Sequence, residues 1–373
     1  MKRYLVWIGT RPEAIKMCPL IRELRAQEET EVRVVLSGQH RDMVAPVLRF
    51  FGVRADADLG VMREGQGIME LTQRLMAAIA RDQATSDFCP DAVLVHGDTT
   101  TAFVGALCGF YAGIPVVHIE AGLRTSDVRT PFPEEFNRRA VDAMSRLHFA
   151  PTPAACERLV AEGHAPERVF VVGNTATDAL RLCLEEPLSH PLLDWAGEGR
   201  TVLLSSHRRE VRETERYAML CAIREAIEGR EDVRLLFPVH PSPAVRRAAE
   251  AAFAGCDNAR LVEPLDVPLM QHLMARAHLL LTDSGGMQEE ATYLGLPTLV
   301  LRDVTERPEG VAAGVLWTAG TEPATVARRC AELLDGDGVR AAMARPSSVY
   351  GDGFVARRIA AILEAVVSTG ALR

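Results

Sequence analysis

The sequence predicts an α/β protein built on two parallel sheets, each with helices on both faces. Three observations carry this. Short apolar runs of strand length alternate with amphipathic helix patterns from end to end. A chain of 373 residues is long enough for two domains of ordinary size. The alternation pauses at Pro187–Gly199, where Pro187, Pro191, Gly197 and Gly199 fall in a stretch without periodicity, and then resumes as a second series. That stretch is the linker candidate. It gives an N-terminal domain over 1–186, rejoined by a C-terminal helix over 354–373, and a second domain over 187–353.

In chain order, Tyr4–Ile8 reads as the first strand and runs into Gly9-Thr10-Arg11-Pro12-Glu13; a helix follows through Ile15, Pro19 and Leu24. Val32–Leu36 is a strand ending in Ser37-Gly38-Gln39-His40-Arg41. Over Gly67–Gln83, the residues Ile68, Leu71, Leu75, Met76 and Ile79 recur at helical spacing and should lie on a sheet. Asp91–Val95 leads to His96-Gly97-Asp98-Thr99-Thr100, and Val116–Ile119 leads to Glu120-Ala121-Gly122-Leu123-Arg124. Pro133 opens a helix through Glu134, Glu135, Asn137 and Arg138. Val169–Val172 is a late strand before Gly173-Asn174. In the second series, Thr201–Leu204 ends in Ser205-Ser206-His207-Arg208-Arg209-Glu210, and Val233–Phe237 ends in Pro238-Val239-His240-Pro241. Helices are expected near Pro323–Leu334 and Phe354–Val367.

The stretch Leu279–Gly310 organises the second series. Leu279–Leu281 reads as a buried strand. Thr282, Asp283 and Ser284 form a turn, and Gly285 and Gly286 lead into helix-forming Met287–Leu294. A strand, a Ser-Gly-Gly turn and a helix start make an anion site, because free N–H groups and the positive end of the helix dipole converge. The glycines let a phosphate approach the backbone. Glu290, one to two turns into the helix, suits ribose hydroxyls. Arg307, in the loop after strand Thr298–Leu301, suits a diphosphate as a bidentate cation.

Composition excludes several classes. A net charge of −8 and few aromatic residues argue against a nucleic-acid binder. The eight cysteines form no CxxC pair and no histidine cluster has metal-ligand spacing, so the cysteines read as buried free thiols in a reducing compartment. The start, MKRYLVWIGTRPE, suits a first strand rather than a signal peptide, and no apolar run spans a membrane. A cytoplasmic protein is expected.

The polar residues cluster in placement. Arg11 and Glu13, Gln39 and His40, Asp98, Glu120, His207, His240 and Ser284 each follow the carboxyl end of a strand. That edge is where ligands bind in open α/β sheets. Arg11, Lys16, Arg208 and Arg307 offer cations for a diphosphate. Asp98, Glu120 and Glu134, with His207, offer carboxylates whose pKa values can be pushed apart for acid–base work. Taken singly, each has an ordinary reading: Asp98 and Thr99 suit a helix cap, and Glu134 matches a helix dipole.

The motifs GTRPEAIKMCPL, GQHRDM, VHGDTTT, HIEAGLRT, PFPEEFNRR, HRRE, PVHPSP, TDSGGMQEEA and RDVTERPEG resemble, in order and spacing, the non-hydrolysing UDP-N-acetylglucosamine 2-epimerases. The resemblance covers nearly the whole chain. It implies a GT-B-type fold of two Rossmann-like domains facing a cleft. It implies reversible inversion at C2 between UDP-N-acetylglucosamine and UDP-N-acetylmannosamine, by loss and return of UDP through 2-acetamidoglucal, with no nicotinamide or metal. A hydrolysing relative releasing N-acetylmannosamine and UDP, and a non-catalytic nucleotide-sugar binder, are the alternatives. By matching motifs, Arg11, Lys16, Arg208, His240, Ser284, Gly285, Gly286 and Arg307 would hold the diphosphate and neighbouring groups, and Glu290 the ribose. Asp98, Glu120, Glu134 and His207 would form the acid–base set. Met270 stands where the family commonly has an aromatic residue near the uracil, and Val211-Arg212-Glu213 replaces the family's Asn and Gly-containing loop after HRRE. Some bacterial members bind a second UDP-N-acetylglucosamine that activates them; Gln39, Gln66, Glu134, Arg208 and His240 match that site. Dimers are common in the family, so a homodimer is expected.

Overall fold

A computed structural model describes residues 1–125, 127–206 and 211–372. It divides into one unit of Met1–Ala179 with Gly351–Arg373 and a second of Leu180–Tyr350. The first unit holds strands β1 (Lys2–Ile8), β2 (Thr30–Leu36), β3 (Ala57–Asp58), β4 (Ala92–His96), β5 (Val116–Ile119), β6 (Leu147–Ala150) and β7 (Val169–Val171). They form one parallel sheet in the order β3-β2-β1-β4-β5-β6-β7. The second unit holds β8 (Arg200–Ser205), β9 (Val233–Pro238), β10 (Ala259–Val262), β11 (Leu279–Thr282), β12 (Thr298–Val300) and β13 (Leu316–Thr318), again all parallel, in the order β10-β9-β8-β11-β12-β13. This is the α/β class expected, with two doubly wound sheets of the kind found in GT-B proteins.

Covering both faces makes the central strands uniformly apolar. Every residue of β4 is buried. On one face, Leu71, Leu75 and Ile79 of the helix Ile68–Thr85 pack with Trp7, Val93 and Val95. The helix Arg11–Arg25 buries Met17, Leu20, Ile21 and Leu24. The C-terminal helix Val355–Ser368 packs on Arg11–Arg25. Its start is held by Asp178, whose carboxylate accepts the N–H groups of Val355 and Ala356 at 3.1 and 2.7 Å.

Pro187–Gly199, read from sequence as an aperiodic linker, instead contains the helix Pro191–Gly197. His190 Nδ1 accepts the Leu192 N–H at 3.1 Å, and Leu193 and Ala196 are buried with Leu203, Leu236 and Leu280 in the second unit's core. Two turns are too few for an amphipathic period to stand out against two prolines and two glycines. All eight cysteines are free thiols, but burial is less general than expected: Cys18, Cys183, Cys256 and Cys330 are buried and Cys89 is exposed. Among the described residues no helix is long and apolar enough to cross a membrane.

The strand orders fix where ligand sites can form. In the first sheet the winding reverses between β1 and β4, and in the second between β8 and β11. Connections leave such a pair in opposite directions, which opens a crevice at the carboxyl ends of its strands.

Candidate functional site

At the first reversal point, four loops meet beyond the strand ends. After β1, Thr10 caps the helix Arg11–Arg25 in a reciprocal box with Glu13. The Glu13 carboxylate is buried and accepts the N–H groups of Gly9 and Thr10 at 3.1 and 2.7 Å and the Thr10 hydroxyl at 2.8 Å. It also accepts the Thr99 hydroxyl at 2.7 Å, so it ties the loop after β1 to the loop after β4. Burial pushes Glu13 up to about 7 despite these hydrogen bonds, which favour its charged form.

Glu120, just after β5, lies close by. Its backbone has φ +68°, a left-handed conformation that costs a non-glycine residue about 1 kcal/mol. The carboxylate forms an ion pair with Lys16 and accepts a hydrogen bond from the Asn174 amide beyond β7. His96 Nε2 stands 3.9 Å away; burial pulls His96 down to about 3, so it is a neutral neighbour at pH 7. A methyl at Gly97 would lie 3.3 Å from Glu120 Oε1, so the loops after β4 and β5 are in contact there.

Asp98 is held differently. Arg138 of the helix Glu134–Met144 donates to it through Nη2 at 2.5 Å and Nε at 3.1 Å, and Asn137 Nδ2 donates to its backbone carbonyl at 2.9 Å. Arg138 is anchored in turn by fully buried Glu135 at 2.8 Å. Behind this edge, His118 bridges the Asp142 carboxylate at 2.6 Å and the Gly97 carbonyl at 2.9 Å, which fixes the turn that carries Asp98. Glu134 is half-buried in the first turn of its helix, and Arg11 is half-buried as the first residue of its own. Gln39 accepts the Thr101 hydroxyl at 3.1 Å, and Gln66 accepts the Arg63 N–H at 3.1 Å.

The second unit carries the turn expected to bind phosphate. Beyond β11, Thr282 Oγ1 accepts the Ser284 N–H at 3.0 Å. Buried Asp283 accepts from the Ser206 hydroxyl at 3.2 Å, and Arg216 donates to that hydroxyl at 2.5 Å. With Ser284 as N-cap, the helix Gly285–Leu294 begins at the first glycine, and its first-turn N–H groups have no partner within the helix. The loop after β12 closes over this turn. Arg307 pairs with buried Glu289, and its Nη1 reaches the Glu306 carbonyl at 3.1 Å. A methyl at Gly285 would lie 3.7 Å from Arg307 Nη2. Glu290 accepts from Gln271 Nε2 at 3.0 Å, and Met270 is next to Gln271 on the helix Val267–Arg276. His240 is exposed beyond β9, where its Nδ1 accepts the Ser242 N–H at 3.2 Å. His207 and Arg208, singled out from the sequence, lie outside the described residues.

Each unit therefore gathers its own candidates: Lys16, Asp98 and Glu120 at one reversal point, Ser284, Gly285, Gly286 and Arg307 at the other. Lys16, read from sequence as a diphosphate cation, is paired with a candidate carboxylate. Sequence reasoning did not single out Asn174 or Arg138 as partners of Glu120 and Asp98. The available signal was positional: Asn174 follows a strand, and Arg138 lies in PFPEEFNRR.

A family model described as UDP-N-acetylglucosamine 2-epimerase matches residues 22–364. The UDP-N-acetylglucosamine 2-epimerase of Bacillus subtilis is 46% identical over 351 residues, covering 94% of this chain and 92% of that protein. The crystal structure of the Neisseria meningitidis UDP-GlcNAc 2-epimerase bound to UDP-GlcNAc superposes with a TM-score of 0.91 at 38% identity, covering 98% of this chain and all of that one. The Methanocaldococcus jannaschii enzyme in complex with UDP-GlcNAc and UDP gives a TM-score of 0.83 at 30% identity, over 98% of this chain and 100% of the other. The chain belongs to the UDP-N-acetylglucosamine 2-epimerase family.

Proposed function

We propose that the protein interconverts UDP-N-acetylglucosamine and UDP-N-acetylmannosamine without hydrolysing either. A base removes the C2 proton while the C1–O electron pair leaves with UDP, giving 2-acetamidoglucal. Protonation of C2 from the opposite face and return of a UDP oxygen to C1 give the epimer. Asp98, Glu120, Glu134 and His207 are the acid–base set. Arg11, Lys16, Arg208, His240, Ser284, Gly285, Gly286 and Arg307 hold the diphosphate and its surroundings, Glu290 the ribose, and Met270 borders the uracil. UDP and the glycal must stay together and away from water between the two half-reactions.

The observation that carries this reading is the pair of carboxylates at the first sheet's reversal point, each with its own cation: Asp98 on Arg138, Glu120 on Lys16. A protein that merely bound an anionic nucleotide sugar would gain nothing from them. Two differently held carboxylates are what proton removal and delivery at one carbon need. The test is incubation with UDP-N-acetylglucosamine in deuterated water, followed by NMR. A mixture of two UDP-sugars with deuterium at C2 supports the proposal. Free N-acetylmannosamine would favour the hydrolytic alternative, and absence of exchange would reduce the protein to a binder. We also read Gln39, Gln66, Glu134, Arg208 and His240 as a second site for UDP-N-acetylglucosamine and the active form as a homodimer. Sigmoidal rate curves and light scattering check these.

A further inference from the structure

We propose that Asn174 is a positioning residue for Glu120, setting the direction and charge state in which that carboxylate meets the substrate. The inference rests on the epimerase reading and goes beyond it by naming the residue that holds one of its carboxylates. Asn174 is only 2% exposed. Its amide orientation is dictated by its surroundings: Oδ1 accepts the Ala176 N–H at 3.0 Å, which leaves Nδ2 as the atom facing Glu120. Its carbonyl accepts the Thr177 hydroxyl at 2.9 Å, and that hydroxyl oxygen in turn accepts the Gly353 N–H at 3.3 Å. The amide therefore cannot turn without breaking a buried hydrogen bond, and its anchor runs into the segment that leads to the C-terminal helix.

Glu120 needs such a hold. Its left-handed backbone is strained, and strain of this kind persists only where neighbours over-determine the conformation. Lys16 supplies charge, but on a flexible stem with a rotatable ammonium. Asn174 supplies direction: a planar donor locked at its other end. A donor aimed at a carboxylate also favours its ionised form, the form a proton acceptor must have. Among the described residues, the charged and titratable groups facing Glu120 include Lys16 from the first helix, His96 from β4 and Arg138 from the helix Glu134–Met144.

The experiment compares Asn174→Ala and Asn174→Asp with wild type, following C2 deuterium exchange and UDP affinity from pH 5.5 to 9. For Asn174→Ala the expected result is a kcat lower by about 10- to 100-fold, the loss typical of a misplaced reacting group, with the UDP Kd within twofold of wild type. Asn174→Asp has the same shape but places a second carboxylate against Glu120. Near neutral pH and above, the two repel. As pH falls they share one proton, and the protonated Asp restores the donor. The ratio of variant to wild-type kcat should therefore rise as pH falls. A packing role alone would leave that ratio flat with pH, and a flat ratio or a wild-type kcat in Asn174→Ala overturns the proposal. Should the alanine variant fail to fold, the pH ratio of the isosteric Asp variant decides. A wild-type protein without C2 exchange would overturn the epimerase reading and this role together, whereas an exchanging wild type with unimpaired variants overturns this role alone.

Discussion

Gly285→Ala separates a phosphate cradle from an ordinary turn. The added Cβ would meet Arg307 Nη2 at 3.7 Å and Cζ at 3.8 Å, ordinary contact distances, so the fold has room for it. Gly285 is the first residue of its helix and does not have a positive φ, so alanine is conformationally compatible. Restricting the unfolded chain should then raise stability by about 0.4–1 kcal/mol. The same methyl would stand over the first-turn N–H groups, where a phosphate oxygen must approach to about 2.9 Å of nitrogen. Losing one charge-assisted hydrogen bond costs about 1.5–3 kcal/mol, which corresponds to UDP binding weaker by roughly 10- to 100-fold. Calorimetric titration with UDP and thermal unfolding of the same sample read both quantities. A variant that keeps or gains Tm while losing UDP affinity supports the cradle. Wild-type affinity at wild-type Tm would refute it and leave Ser284-Gly285-Gly286 as a turn only.

Three further outcomes are expected. Asp98→Asn, Glu120→Gln and Glu134→Gln should each lower kcat by roughly 10²–10⁴-fold with UDP affinity largely kept; near-normal turnover in all three rejects the acid–base set. Gly105→Ala should destabilise by about 1–3 kcal/mol, because its Cβ would fall 2.7 Å from Trp7 Cδ1 in the first core, and an unchanged urea midpoint would contradict that packing. For Glu13 the sign follows from burial: its folded pKa of about 7 lies above the ordinary 4.5, so the folded state holds the proton more tightly. Its contribution is complete below pH 4.5 and is lost as pH rises through 7. Glu13→Gln, which does not titrate, should gain on wild type by on the order of 3 kcal/mol across that window, and a stability difference independent of pH would refute the assignment.

The two reversal points carry groups of different kinds. The first sheet supplies titratable groups that are individually clamped, Asp98 by Arg138 and Glu120 by Lys16 and Asn174. The second supplies backbone donors and a cation, the helix start at Gly285 and Arg307. If these carboxylates act as proposed, their clamping matters more than their mere presence, because a reacting group held slightly off line loses most of its advantage.

The α/β class and the two series of strands were legible in the sequence because strands covered on both faces are apolar throughout, and Val93–Val95 and Leu279–Leu281 are short apolar runs followed closely by turn residues. The short pieces were not. The two-residue strand Ala57–Asp58 and the helix Pro191–Gly197 lack the length for a period to register. Residue types at strand ends were also legible: Asp98, Glu120 and Ser284 each stand where a loop begins. What only the tertiary structure decided is who holds whom. Glu120 is 104 residues from Lys16 and 54 from Asn174, and Asp98 is 40 from Arg138. Local periodicity reports which face of an element is buried, but not which strand lies beside which. The order β3-β2-β1-β4-β5-β6-β7 is set by the packing of whole elements, and that order brings the ends of β1, β4, β5 and β7 to one edge and gives each carboxylate its partner.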